Sequence, residues 1–234
     1  MERYRIASLL VALVLPAAAQ EPRARSAYPY IQTTGEATVS AKPDRAKLTV
    51  GVITQAASAQ AAGSENAAKT DSMVAALHRA LEKDAEIHTS GYSLSPNFRY
   101  PKDGGQPVLT GYTATNGVEI VTGDLANLGK LIDAATKAGA NNVNGLEFLL
   151  KDEAPVRAQA LAEAARKARA NAEAIAAALG LKVVRVLAAE QGSPPQIVRP
   201  MFAMAARTNN AETPIAAGNI QVQATVTLTV QVGP

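Results

Sequence analysis

The chain has 234 residues, 47% of them hydrophobic and 18% charged, with a formal net charge of +3 and no cysteine. That length is enough for one large domain or two small ones. The near-neutral balance gives no reason to invoke nucleic acid, and the lack of cysteine excludes disulfides, thiol chemistry and cysteine–metal sites.

The opening residues, MERYRIASLLVALVLPAAAQ, place Arg3 and Arg5 ahead of an apolar run from Ile6 to Leu15, followed by Pro16 and three alanines. This is the three-part order of a secretory signal peptide, with small residues at the cleavage point. The run is too short to span a bilayer as a helix. No cysteine follows it, so a lipid-anchored form is excluded. Residues 1–19 are therefore expected to be removed, and residues 20–29, with two prolines, read as a flexible N-terminus. No later stretch is long and apolar enough for a membrane helix, so no transmembrane segment is expected in the mature chain.

Ordered structure is expected from Tyr30. Ile31, Thr33, Gly35, Ala37 and Val39 alternate with polar residues, as do Leu48, Val50 and Val52. These patterns predict two strands, and the AKPD turn at 41–44 predicts that they form a hairpin. From Ala56 to Lys83 the spacing of Met73, Val74, Leu77 and Leu81 predicts a helix with its best apolar face late. Ile87–Tyr100 and Val108–Thr122 predict a second hairpin around KDGGQP, with Pro96 suggesting a bulge or an edge.

Asp124 is a good helix cap ahead of Leu125, Leu128, Leu131, Ile132 and Ala135, and Gly139 closes that helix. The stretch AGANNVNGLEFLLKD then raises the question of a polar active-site loop. Asparagine tolerates left-handed backbone angles, so a structural turn feeding a strand at 143–150 is the preferred reading and a ligand site the alternative. Asp152 starts a third helix over 153–179, with Pro155 in its first turn. Its alanine row, Ala160, Ala164, Ala168, Ala172 and Ala176, suits close packing on the chain's own sheet or, alternatively, a contact between subunits.

Residues 182–189 predict another strand. The long stretch 191–218 has four prolines and carries Met201, Phe202 and Met204 without periodic partners. It reads as a long loop, functional or disordered. Residues 220–232 alternate without a miss and carry no charge, which predicts an antiparallel strand wet on one face. Left at a sheet edge, such a strand would invite pairing between chains. The expected fold is α+β, a mostly antiparallel sheet with helices packed on one face, in the order β-β-α-β-β-α-β-α-β-β.

The segments TGEATVSAKPDRAKLTVGV (34–52), HTSGYSLSPNFRY (88–100), LTGYTATNGVEI (109–120), LGKLIDAATKAGANNVNGLEF (128–148) and TPIAAGNIQVQATVTLTV (213–230) together resemble the SIMPL domain family of bacterial exported proteins. The resemblance runs over nearly the whole mature chain, placed at 30–234. It implies a periplasmic or surface-associated, non-catalytic protein, with links to oxidative-stress resistance and self-assembly. No catalytic residues come with the family to carry over.

A search for chemistry agrees with that implication. No HExxH, phosphate-binding glycine loop, dinucleotide fingerprint or GxSxG is present. The two histidines, His78 and His88, are too few for a metal site by themselves. No catalytic residue, metal or cofactor is assigned. Tyr92, Phe98, Tyr100 and Tyr112 gather across the second hairpin, as cross-strand packing or as a ligand surface.

These readings point to an exported, non-enzymatic envelope protein that forms a homo-oligomer, with Met201, Phe202, Met204, Ala160, Ala164 and Ala168 as candidate contacts. The alternative is a monomeric periplasmic binding module for a small ligand or envelope component, using the tyrosine face and the long loop. The expected location is the periplasm, free or in contact with the outer membrane. If the leader is processed as its pattern dictates, intact-mass analysis of the exported protein will place the new N-terminus at Gln20, within about two residues.

Overall fold

The computed structural model describes residues 28–198 and 215–234. The leader region and Met201, Phe202 and Met204 lie outside the described residues. The elements follow the expected order, with one short strand inside the stretch expected as a loop. They are β1 (Tyr30–Ala41), β2 (Arg45–Ala56), α1 (Ala59–Ala80), β3 (Glu86–Arg99), β4 (Val108–Thr122), a 3-10 turn (Leu125–Asn127), α2 (Leu128–Lys137), β5 (Asn142–Leu149), α3 (Ala154–Ala178), β6 (Lys182–Gln191), β7 (Gln196–Val198) and β8 (Ile220–Gly233). All strand pairs are antiparallel, and the α+β architecture holds.

The strands divide between two sheets. One has the order β1-β8-β6, with β7 also paired to β8; the other runs β3-β4-β2-β5. The expected β1–β2 hairpin does not form. β1 pairs with β8 along its whole length, and β2 pairs with β4 and β5. The link between them instead carries the chain from one sheet to the other. Asp44 fixes the crossing: its N–H donates to the Leu149 carbonyl at 3.1 Å, and its carboxylate accepts the Lys151 N–H at 2.7 Å. Strand 220–232 is also not an edge strand. β8 is flanked by β1 on one side and by β6 and β7 on the other, so its lack of charge reflects a central position.

Each sheet is covered on one face. On the first, Val222, Ala224, Val226, Leu228, Val230 and Val232 of β8 meet the alanine row of α3. Ala160, Ala164 and Ala168 are fully buried there. The row therefore serves close packing inside the chain and leaves no surface for a second subunit. The approach is close because β1 presents Gly35: a Cβ at that position would fall inside the α3 backbone at Ala164 and Ala168. Two polar contacts seal the same seam. Thr33 Oγ1 donates to the Ala168 carbonyl at 2.7 Å, and Asn171 Nδ2 donates to the Thr34 carbonyl at 3.1 Å.

On the second sheet, Leu48, Val50, Val52, Val118 and Ile120 meet Met73 and Leu77 of α1 and Leu131 and Ala135 of α2. Ser58 caps α1, its Oγ accepting the Ala61 N–H at 3.2 Å. The early half of α1 is held by polar groups. The buried Asn66 amide donates to the carbonyls of Val52 (2.8 Å) and Ala114 (3.1 Å), and Thr54 donates to Ala62 O at 2.8 Å. A helix anchored by hydrogen bonds at one end and by Met and Leu at the other explains why its apolar face strengthens late. Asp124 caps the 3-10 turn rather than α2 directly, accepting the Asn127 N–H at 3.2 Å. Ala46, Leu128 and Phe148 form a third small cluster, against which Ile215 packs on its way into β8.

Two glycine substitutions test the helix–strand seam. Gly35→Ala forces the backbones of β1 and α3 apart and should cost about 3 kcal/mol in urea unfolding. Gly145→Ala on β5, where nothing lies within 4 Å of an added Cβ, should change stability by no more than about 0.5 kcal/mol.

Candidate interaction surface

The tyrosine cluster lies on the β3–β4 hairpin, the outermost pair of the second sheet. Tyr92, Leu94 and Pro96 stand opposite Asn116, Ala114 and Tyr112. Ala114 is fully buried, so this row shares the face covered by α1. An added Cβ on Gly63 of α1 would sit 3.4 Å from the Tyr92 hydroxyl, which places that tyrosine beside the helix. Phe98 follows along β3 and pairs with Leu109. Tyr112 is half-buried, whereas Tyr100 lies just past the end of β3 and is the most exposed of the group.

The hairpin outruns the rest of its sheet. β2 accompanies β4 only as far as the Ala56–Tyr112 pair. Beyond it, β3 and β4 continue as a two-stranded arm. Gly111 marks the departure, with φ +148° and an added Cβ only 2.8 Å from the Ala56 carbonyl oxygen. A side chain there would meet both a disfavoured backbone angle and the end of β2. The base of the arm is locked by Asn97. Its Nδ2 donates to Thr113 Oγ1 at 2.8 Å, Thr113 Oγ1 donates to its Oδ1 at 3.0 Å, and Thr110 Oγ1 donates to its carbonyl at 3.0 Å.

The arm is apolar where it is most exposed. Phe98, Tyr100, Val108 and Leu109 on the arm, and Tyr92 and Leu94 where β2 still accompanies the hairpin, are each 40–73% exposed. Single exposed apolar residues are ordinary, whereas large exposed apolar patches are uncommon on monomeric proteins. Sequence reasoning singled out the aromatic members and missed Leu94, Val108 and Leu109. The signal for these was available: Val108 and Leu109 flank the glycine turn at a point where no other strand can cover them.

Among the described residues, no group of three or more His, Cys, Asp or Glu side chains stands close enough to hold a metal. His78 is exposed in the last turn of α1, and the exposed His88 on β3 pairs with Glu86 at 3.2 Å. No described helix is long and apolar enough to cross a membrane.

The asparagine-rich stretch has a structural task. Asn141 lies just before β5, where the edge of β2 would otherwise be left open. Its side-chain oxygen accepts the Ile53 N–H at 2.8 Å, and its amide donates to the Ile53 carbonyl at 2.7 Å, while its own N–H bonds Gly51 O at 3.1 Å. The carboxamide thus stands in for a strand residue and extends the β5 ladder by one step.

The SIMPL family, described as a protein of unknown function (DUF541), matches residues 31–230. The chain belongs to the SIMPL family. It is 30% identical to the 26 kDa periplasmic immunogenic protein of Brucella melitensis over 218 residues, which cover 90% of this chain and 87% of that protein. It is also 31% identical to the uncharacterized protein YggE of Edwardsiella ictaluri, over 65% of this chain and 64% of the relative. With YggE of Escherichia coli K12 the identity is 32%, over 51% and 48% of the two chains. None of these SIMPL relatives carries the name of an enzyme.

The Asn141 bridge separates the two readings of its loop. Asn141→Ala should lower stability by about 1–2 kcal/mol, since it strips two hydrogen bonds from a solvent-accessible sheet edge. Amide hydrogen exchange at Ile53 should accelerate in the same variant.

Proposed function

We propose that this SIMPL-domain chain is an exported, non-enzymatic protein of the periplasm that self-associates through the β3–β4 arm. The observation that carries the reading is the group of apolar side chains exposed along that arm. The name of the Brucella melitensis relative supports the location, and the leader pattern agrees with it. A link to oxidative-stress defence rests on the family resemblance alone.

The face of the arm, rather than its edge, is the better docking element. β3 is irregular between Thr89 and Gly91, where its register with β4 shifts, and Pro96 supplies no N–H. Both features discourage a neighbouring strand from adding there. The apolar face carries no such protection. A second copy laid against it removes aromatic and aliphatic surface from water, which is the general source of association energy. Arg99, Lys102 and Asp103 are exposed around the turn.

Light scattering on a sizing column tests the reading. The exported protein should elute with a discrete mass at a multiple of the chain's, which is 24.2 kDa before processing. The paired change Phe98→Ser and Leu109→Ser should leave the circular dichroism unchanged and raise the dissociation constant by about tenfold or more. A monomer at every concentration would overturn self-association and leave the arm as a surface for a different molecule.

A further inference from the structure

The second sheet carries a cleft on the face away from its helices, at the end of β2 opposite the arm. Arg45 and Lys151 line one side, Asp84 and Glu86 the other, with Val121, Leu149 and Leu150 between them. Its volume is about 340 Å³, near the lower bound of sites that hold small ligands. The strand order explains the separation of charge. Asp84 and Glu86 belong to the turn before β3 and its first residue, Val121 to β4, Arg45 to β2 and Lys151 to the residues after β5. Anions therefore stand at one edge of the sheet and cations toward the other.

The neighbouring charges on this face, Lys47, Glu119 and Glu147, are paired with one another. Lys47, directly opposite Val121 in the ladder, pairs with Glu119 at 3.8 Å and with Glu147 at 3.4 Å. In the cleft, none of the described ion pairs involves Arg45, Lys151 or Asp84, while Glu86 is engaged only by the exposed His88 at 3.2 Å. The cationic side is also fixed in place. Arg45 Nη1 donates to the Asp44 carbonyl at 3.0 Å and lies across Gly123, where an added Cβ would collide with it. Asp44 in turn holds the Lys151 backbone.

We infer that this cleft binds a short peptide by its two ends, the carboxylate on Arg45 and Lys151 and the ammonium on Asp84 and Glu86. The apolar floor takes the side chains. Size selects a peptide over a single amino acid. β3 and β2 are two strand spacings apart, about 10 Å between backbones. An extended chain advances about 3.3–3.6 Å per residue, so two or three residues bridge the walls once the protein side chains reach inward. Charge-assisted hydrogen bonds to both ends make the recognition directional. This inference is independent of self-association.

The probe is L-leucyl-L-leucine, titrated into the exported protein and followed by amide chemical shifts. Millimolar dipeptide should move the signals of Val121, Leu149 and Lys151. N-acetyl-leucyl-leucine and leucyl-leucinamide should each bind about tenfold more weakly or worse, because each lacks one charged end. Asp84→Asn, in an exposed turn, should weaken the unmodified dipeptide to the same degree and leave the melting temperature unchanged; Lys151→Met provides the matching test for the other wall. The absence of shifts at millimolar dipeptide would overturn the inference. Equal binding of the end-blocked peptides, or full binding by both variants, would overturn it as well.

Discussion

The structure depends on one pairing made across almost the whole sequence. β1 and β8 run side by side from Tyr30–Gln231 to Ala41–Ile220. Gln32 and Thr229, whose side chains meet across this ladder, are 197 positions apart. The second sheet, β2 through β5, is contiguous in the chain and sits between the two halves of the first. Its ladder can therefore form from local contacts, whereas the first sheet waits for β8. Pairings of such separation carry a large loop-closure cost and fold late. The same pairing explains the composition of β8. With neighbours on both sides and α3 on one face, it has room for valine inward and for threonine and glutamine outward, and no need of edge-protecting charge.

Much of this was legible in the sequence, because hydrophobic period reports which face of an element is buried. The alternation in β1, β2 and β8 and the helical spacing in α1 and α2 place those elements within a few residues of where they lie. Period does not report partners. β1 and β2 alternate alike and are joined by a proline turn, so adjacency suggested a hairpin that the sheet crossing at Asp44 replaces. β3 and β4 are also adjacent and do pair; there the two-glycine turn is an independent signal. The alanine row of α3 announced a close approach without naming what it approaches. The clue was Gly35, the smallest residue on the inward face of β1, matched in size to the row above it. Asn141 was readable as part of a turn. That its carboxamide completes a β-ladder could not be seen without the register of β2 and β5.

The candidate contact surfaces fall on the second sheet for a physical reason. In the first sheet, α3 is drawn down onto β1 and β8 by small residues, and every alanine of its row is consumed in the chain's own core. The second sheet has longer strands than its helices cover. β3 and β4 run on past Ala56 as the arm, and at the far end of β2 the uncovered face holds the charged cleft. β2 has 12 residues, which at strand rise separates its two ends by about 35–40 Å. Two surfaces at that separation do not compete for space, so one copy can hold a partner at the arm while its cleft remains open to solvent.

The arm's apolar residues stand exposed on a two-stranded ribbon. A two-stranded ribbon without a covering layer is marginal, because it orders backbone and side chains while burying little. Here the ribbon is stiffened by polar means, the reciprocal Asn97–Thr113 contacts at its base and the Gly111 departure from β2, rather than by packing. Those contacts fix its direction but contribute little burial. A rigid direction combined with exposed Tyr, Phe and Leu would reduce the ordering cost of the proposed contact, since the side chains it would cover already project from a set backbone. Loosening the base without touching the apolar residues would leave the surface chemistry intact and raise that ordering cost, so pre-organisation of the arm, and not apolar area alone, sets how strongly it can hold a partner.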